Sequence, residues 1–109
     1  MNKMTFWLFA LAAWLPPTAH AAPDAPALYT EHCAACHGAN RLGGSGPALL
    51  PENLERLRKP EAMKTISEGR IATQMLGFSG KLNKEDIQAL VDYVYQPPAS
   101  KPVWGEAEI

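Results

Sequence analysis

Cys33-Ala34-Ala35-Cys36-His37 carries the chemistry of this sequence. Cysteines three positions apart sit about one helical turn from each other. At that spacing each thiol reaches one of the two vinyl groups of a porphyrin and forms a thioether with it. The next residue, His37, then lies under the ring and places an imidazole nitrogen on the iron, for which neutral imidazole is a common ligand. A C-x-x-C-H run therefore reads as a site of covalent haem attachment. One such run implies one haem.

Three other chemistries use the same residue types, and each lacks something here. A thioredoxin-like dithiol belongs at the start of a helix within a β-α-β pattern, and no alternating or β-branched run precedes Cys33. Zinc needs four ligands, or three and a water. No second Cys/His pair follows, and the other histidines are His20 and His32. A disulfide between Cys33 and Cys36 would strain a helix and close almost no loop.

An electron-carrying haem with six ligands needs one from the other face of the ring. Met63, Met75 and His32 are the candidates in the exported part of the chain. His32 adjoins Cys33 and is tied to the His37 side. Met63 sits mid-helix beside Ile66, a setting in which methionine fills core. Met75 lies in a glycine-bounded loop before the last helix, from which sulfur can fold over a ring. On residue type alone, ordinary core packing competes with that role for Met75. A His/Met pair raises the iron potential, because thioether sulfur stabilises the ferrous state.

The segments around these residues fit an exported domain. Lys3, the apolar run Phe6 to Leu15, the breakers Pro16 and Pro17, and Ala19-His20-Ala21 together read as an export signal cleaved near Ala21. The apolar run is shorter than the roughly twenty residues a membrane span needs, so no stable membrane insertion is expected. The expected division is a signal at 1–21, a domain at 22–98 and a tail at 99–109, in the periplasm. The 109 residues hold ten Lys and Arg against eleven Asp and Glu. Removing Lys3 leaves nine against eleven, with no basic block, so no nucleic acid is expected as a partner. So short a domain buries a thin core, which a bound porphyrin would enlarge.

The mature chain opens on a loose Pro/Ala leader, Ala22 to Pro26. The spacing predicts a short helix over Ala27 to Cys36, stopped by Gly38. Asn40 to Pro51 holds three glycines and two prolines and reads as irregular loop. One or two helical turns are expected within Asn53 to Lys59. The next helix has Pro60 in its first turn, Ala62, Met63 and Ile66 on one face, and Gly69 as its stop. Arg70 to Leu82 reads as an ordered loop. The strongest helix signal spans Asn83 to Tyr95. Asn83 caps it, Glu85 and Asp86 suit its positive end, and Ile87, Leu90, Val91 and Val94 form one apolar face. No strand is expected, so the class is all-α: a bundle of short helices around a covalently bound haem.

These features resemble a small class I c-type cytochrome. The matching residues are Cys33, Cys36 and His37, then Gly46-Pro47-Ala48-Leu49, then Met75 with Phe78 and Gly80, then Leu82 to Ile87 opening the last helix. The resemblance spans about Leu28 to Tyr95. It implies a cytochrome c fold, haem c on Cys33 and Cys36, and iron held by His37 and Met75. It also implies that the Pro47 carbonyl accepts a hydrogen bond from His37, orienting the ring and raising its basicity. Family members usually carry proline after the axial methionine, whereas this chain has Leu76. The tail from Gln96-Pro97-Pro98 to Val103-Trp104-Gly105 resembles the segment that follows the cytochrome domain in dissimilatory nitrite reductases and their relatives.

The function this implies is electron transport and not enzymatic catalysis. The chain would be a monomeric carrier of single electrons between redox protein partners, with nitrite reductase of denitrification as acceptor. An accessory role in maturing the d-type haem of that reductase would use the same residues. A haem peroxidase or ligand sensor would need an open iron face, against which Met75 stands.

Overall fold

Helices form where capping residues precede apolar periodicity. The computed structural model describes residues 14–18, 21–103 and 105–108. Most of the expected export signal, including Ala19 and His20, lies outside the described residues, as does Trp104. The Asp24 side chain accepts from the Ala27 amide at 3.2 Å and starts helix α1 (Ala25–His32). Pro26 sits in the first turn, where no amide hydrogen is needed. The leader is therefore shorter than the Pro/Ala composition suggests.

The expected single helix through Cys36 is instead two. Cys33 breaks it at φ −121°, ψ −35°. Its amide closes α1 by donating to Tyr29 O at 2.9 Å. Its carbonyl opens α2 (Ala34–His37) by accepting from the amides of Cys36, at 3.2 Å, and His37, at 3.0 Å. Gly38, at φ 84°, ends α2 and turns the chain into an irregular loop. Helix α3 (Pro51–Leu54) begins two residues before the expected turn, because Pro51 presets the first helical φ.

Helix α4 (Lys59–Glu68) has Pro60 in its first turn, and the Glu61 carboxylate accepts from the Arg58 amide at 3.1 Å. Gly69 ends it. After an ordered loop, α5 (Lys84–Val94) starts from a reciprocal cap. Asp86 N donates to Asn83 Oδ1 at 2.8 Å, and Asn83 N donates to Asp86 Oδ2 at 3.2 Å. Ile87, Leu90, Val91 and Val94 are all buried, as the periodicity requires. A 3-10 turn, Glu106–Glu108, lies in the tail.

Helix α5 packs on α1 and α4. Tyr29, Leu54, Leu82, Ile87, Leu90 and Val94 form the buried cluster between them. Burying one such Leu or Val side chain adds about 2 kcal/mol. The fold is all-α: among the described residues the only β pairing is an isolated antiparallel bridge between Gly69 and Leu76. No described helix is long and apolar enough to cross a membrane.

Candidate haem site

The break at Cys33 sets the motif on its own short turn, α2, beside the irregular loop. His37 Nδ1 lies 2.7 Å from the Pro47 carbonyl oxygen. A carbonyl only accepts, so the ring proton sits on Nδ1 and the lone pair on Nε2. That tautomer is the one a metal-binding imidazole needs. The loop reaches this position through close backbone approach. A Cβ on Gly46 would lie 2.9 Å from His37 Cε1 and 3.0 Å from Nδ1. Gly46 N also donates to Cys36 O at 2.8 Å, and Gly43 N to His37 O at 2.8 Å. The glycines thus let the chain pass flat against the imidazole.

Both cysteines are free thiols, Cys33 half-buried and Cys36 exposed. Burial, with the neighbouring Cys36, pushes the Cys33 thiol up to about 11. A redox dithiol works through a thiolate held near or below neutral pH, so this environment speaks against thioredoxin-like chemistry. Among the described residues no group of three or more His, Cys, Asp and Glu side chains is placed to hold a metal ion.

Met75 sits on the loop after α4 and is half-buried. Its amide donates to Thr73 Oγ1 at 3.1 Å, and its carbonyl accepts from Arg70 N at 3.1 Å. Phe78, further along that loop, meets the His32 ring edge-on at 5.7 Å between centroids. His32 is therefore engaged in an aromatic contact beside Cys33. Met63 and Ile66 pack half-buried against the core cluster, as filler residues do.

The residues fit a haem. Cys33, Ala34, Leu49, Leu57, Met63, Ile66 and Phe78 are apolar side chains packed on the core yet only half covered. Half-covered apolar side chains of this kind suit a large apolar ring. The two thiols and the Nε2 lone pair would supply the attachment and ligation chemistry.

Arg41 was not singled out by motif reasoning. It is buried, at 3% exposure, and holds φ 65°, which is rare outside glycine. Its Nη1 donates to Tyr93 O at 2.9 Å and Gln96 O at 3.0 Å, and its guanidinium lies 4.9 Å from the Tyr93 ring centre. It ties the loop after the haem motif to the end of α5. One signal was visible: Arg41 is the only charged residue between His37 and Glu52.

Residues 20–94 match the family described as cytochrome c oxidase, cbb3-type, subunit III. The chain belongs to this family of c-type cytochromes. Membership implies covalently bound haem c. The cytochrome is 36% identical over 88 residues to cytochrome c55X of Stutzerimonas stutzeri, covering 81% of this chain and 78% of that one. The solved c-type cytochrome NirC superposes with a TM-score of 0.62 at 35% identity, over 65% of this chain and 84% of NirC. A third relative is dihydro-heme d1 dehydrogenase of Pseudomonas aeruginosa, 54% identical over 90 residues, or 81% of this chain. The chain spans only 18% of the length of that dehydrogenase.

Proposed function

We propose that this cytochrome is a periplasmic monohaem carrier of single electrons, acting between redox protein partners, with nitrite reductase as the acceptor. The observation that carries the reading is the His37–Pro47 contact beside two free cysteines in a chain of the cytochrome c family. The likeness to cytochrome c55X and NirC, each matched over most of its length, supports a small stand-alone carrier.

When bound, haem c supplies one-electron exchange between ferrous and ferric iron. Everything else falls to the chain. Cys33 and Cys36 would hold the ring through thioethers. Pro47 O holds the proton on Nδ1 of His37 and leaves Nε2 free to bind the metal. Met75 would supply thioether sulfur from the loop after α4, a ligand that favours ferrous iron. The half-covered apolar side chains would shield the ring from water and lower the local dielectric. No substrate need touch the metal for outer-sphere transfer, so this chain is a carrier and its partners do the chemistry.

The test is spectroscopic. Protein made in a host with haem-attachment machinery should keep haem mass after acid-acetone extraction. Met75→Ala should abolish the far-red sulfur-to-ferric-iron band and lower the potential, while Met63→Ala leaves both nearly unchanged. The reverse pattern moves the ligand to Met63. Tight cyanide binding by native protein would favour a sensor or peroxidase instead.

A second reading rests on the 54% identity to a segment of dihydro-heme d1 dehydrogenase. In it, this cytochrome accepts electrons during maturation of the d-type haem. A dehydrogenation releases two electrons and two protons, so a single-haem acceptor would cycle twice per product. Reduction of the ferric protein by dihydro-haem d1 in the presence of a matching dehydrogenase, with no electron transfer to nitrite reductase, would select this role.

A further inference from the structure

The stretch that carries Met75 meets the end of α4 backbone to backbone, at two glycines. Gly69 holds φ 76°, ψ −171°, a conformation essentially reserved for glycine. A Cβ there would lie 2.5 Å from Met75 O and 2.7 Å from Gly77 N. A Cβ on Gly77 would lie 2.7 Å from Ser67 O and 2.8 Å from Glu68 C. These contacts fall on backbone, which cannot swing aside as a side chain can. The close approach allows one hydrogen bond within the loop and two from the loop to the helix end. Arg70 N donates to Met75 O at 3.1 Å, Phe78 N to Ile66 O at 2.9 Å, and Ser79 N to Ser67 O at 3.1 Å. Met75 is thus bracketed in sequence by Gly69 and Gly77 and bonded at its own carbonyl. A Cβ on Gly80, in the same loop, would meet nothing within 4 Å.

We propose that Gly69 and Gly77 are positioning residues for Met75, a two-glycine clasp that sets the distance of its backbone from α4 and so holds the thioether on the iron. The inference rests on Met75 being the axial ligand. A Cβ at either glycine would push the two backbones apart and shift Met75 outward, without touching Cys33, Cys36 or His37. The consequence is specific: sulfur is lost from the iron more readily while the fold stands.

The experiment uses haem-loaded Gly69→Ala, Gly77→Ala and Gly80→Ala beside wild type. In both clasp variants the far-red band should weaken or vanish, and imidazole should bind ferric iron about tenfold more tightly because it competes with a strained ligand. Helical circular dichroism should be unchanged. Gly80→Ala should match wild type in every respect. A clasp with a merely structural role would lower the melting temperature and leave band and imidazole affinity alone, which overturns the proposal. So does a Gly80→Ala variant as disturbed as the other two. Wild type itself provides a check that needs no variant. On warming, the far-red band should fade together with hydrogen exchange at the Arg70 and Phe78 amides, while α5 amides stay protected. A band that persists after those amides open refutes the clasp. A band absent from wild type, or surviving Met75→Ala, would instead refute the ligand assignment beneath it.

Discussion

The loop after His37 and the loop that carries Met75 are held in unlike ways. The loop after His37 is braced from two helices by side chains. Tyr29 of α1 donates its hydroxyl to Gly38 O at 2.7 Å, and Arg41 reaches from the loop to two carbonyls at the end of α5. Both residues are buried. The stretch that carries Met75 meets the end of α4 through backbone contacts, and side chains hold its loop only further along, where Phe78 packs on the core and against His32 of α1. The large side chains of the stretch, Ile71 and Leu76, face solvent, at 98% and 72% exposure, and Ala72 takes a left-handed φ of 61°. The His37 loop is tied down by buried side chains, whereas no residue from 70 to 77, the stretch around Met75, is buried. A disturbance of the core should therefore reach the first loop, and local strain should reach the second.

The largest effect expected from breaking this contrast is at Arg41. Arg41→Ala removes two charge-assisted hydrogen bonds and leaves the carbonyls of Tyr93 and Gln96 without that donor, at a cost of about 3 kcal/mol. Arg41→Lys keeps the charge but not the planar fork and should recover only part of the loss. Denaturant unfolding of the haem-loaded proteins measures both. A loss below about 0.5 kcal/mol in Arg41→Ala would mean the loop is held elsewhere.

Tyr29 comes next. Burial, then the nearby Cys33 thiol, pushes its hydroxyl up from 10.0 to about 12. The folded state thus keeps a proton that the unfolded chain releases above pH 10. The stability this represents is complete below pH 10 and is lost as pH rises towards 12, by about 1–2 kcal/mol. Tyr29→Phe should cost about 1 kcal/mol at neutral pH, through the lost bond to Gly38 O, and should flatten this alkaline fall. Unfolding free energies measured between pH 9 and 12 decide it. An equally steep fall in the variant would assign the titration to another group.

The same contrast explains what was legible in the sequence. Helix α5 was read residue for residue, because its cap and its apolar face are both local signals. Gly69 and Pro60 marked the limits of α4 for the same reason. The acceptor for His37, Pro47, followed from family resemblance and could not have followed from spacing, since a loop of glycines has no period. Helix α1 was misread at both ends. Asp24 was passed over inside a Pro/Ala leader, and the break at Cys33 has no breaker residue to announce it. Arg41 was missed because its partners are backbone carbonyls far along the chain, which no motif records. The pairing of Gly69 with Gly77 was hidden likewise: each glycine reads as a stop or a turn until the two backbones are seen in contact.

A smaller effect is expected where the Met75 loop hands over to α5. Asn83→Ala removes the acceptor for the Asp86 amide and should cost about 1 kcal/mol, the usual worth of such a cap. Because the cap sits at the far end of the loop from the glycines, the far-red band should stay. Loss of the band in Asn83→Ala would show that Met75 is positioned from α5 as well as from α4, and would narrow the difference between the two loops.

The smallest effect, and the sharpest check on the contrast, is at Ile71 and Leu76. If the stretch around Met75 is fastened through backbone, these side chains contribute nothing to holding it. Ile71→Ser and Leu76→Ser should each change stability by less than about 0.5 kcal/mol, the ordinary range for exposed positions. The far-red band and the potential should stay as in wild type, because neither substitution touches a bond that Gly69, Arg70, Phe78 or Ser79 makes to its partner. Thermal unfolding and redox titration of the double variant give the answer together. A drop of more than about 1 kcal/mol would place one of these side chains against protein in solution. The Met75 loop would then be braced by side chains as the His37 loop is, and the difference between the two sides of the site would be one of degree.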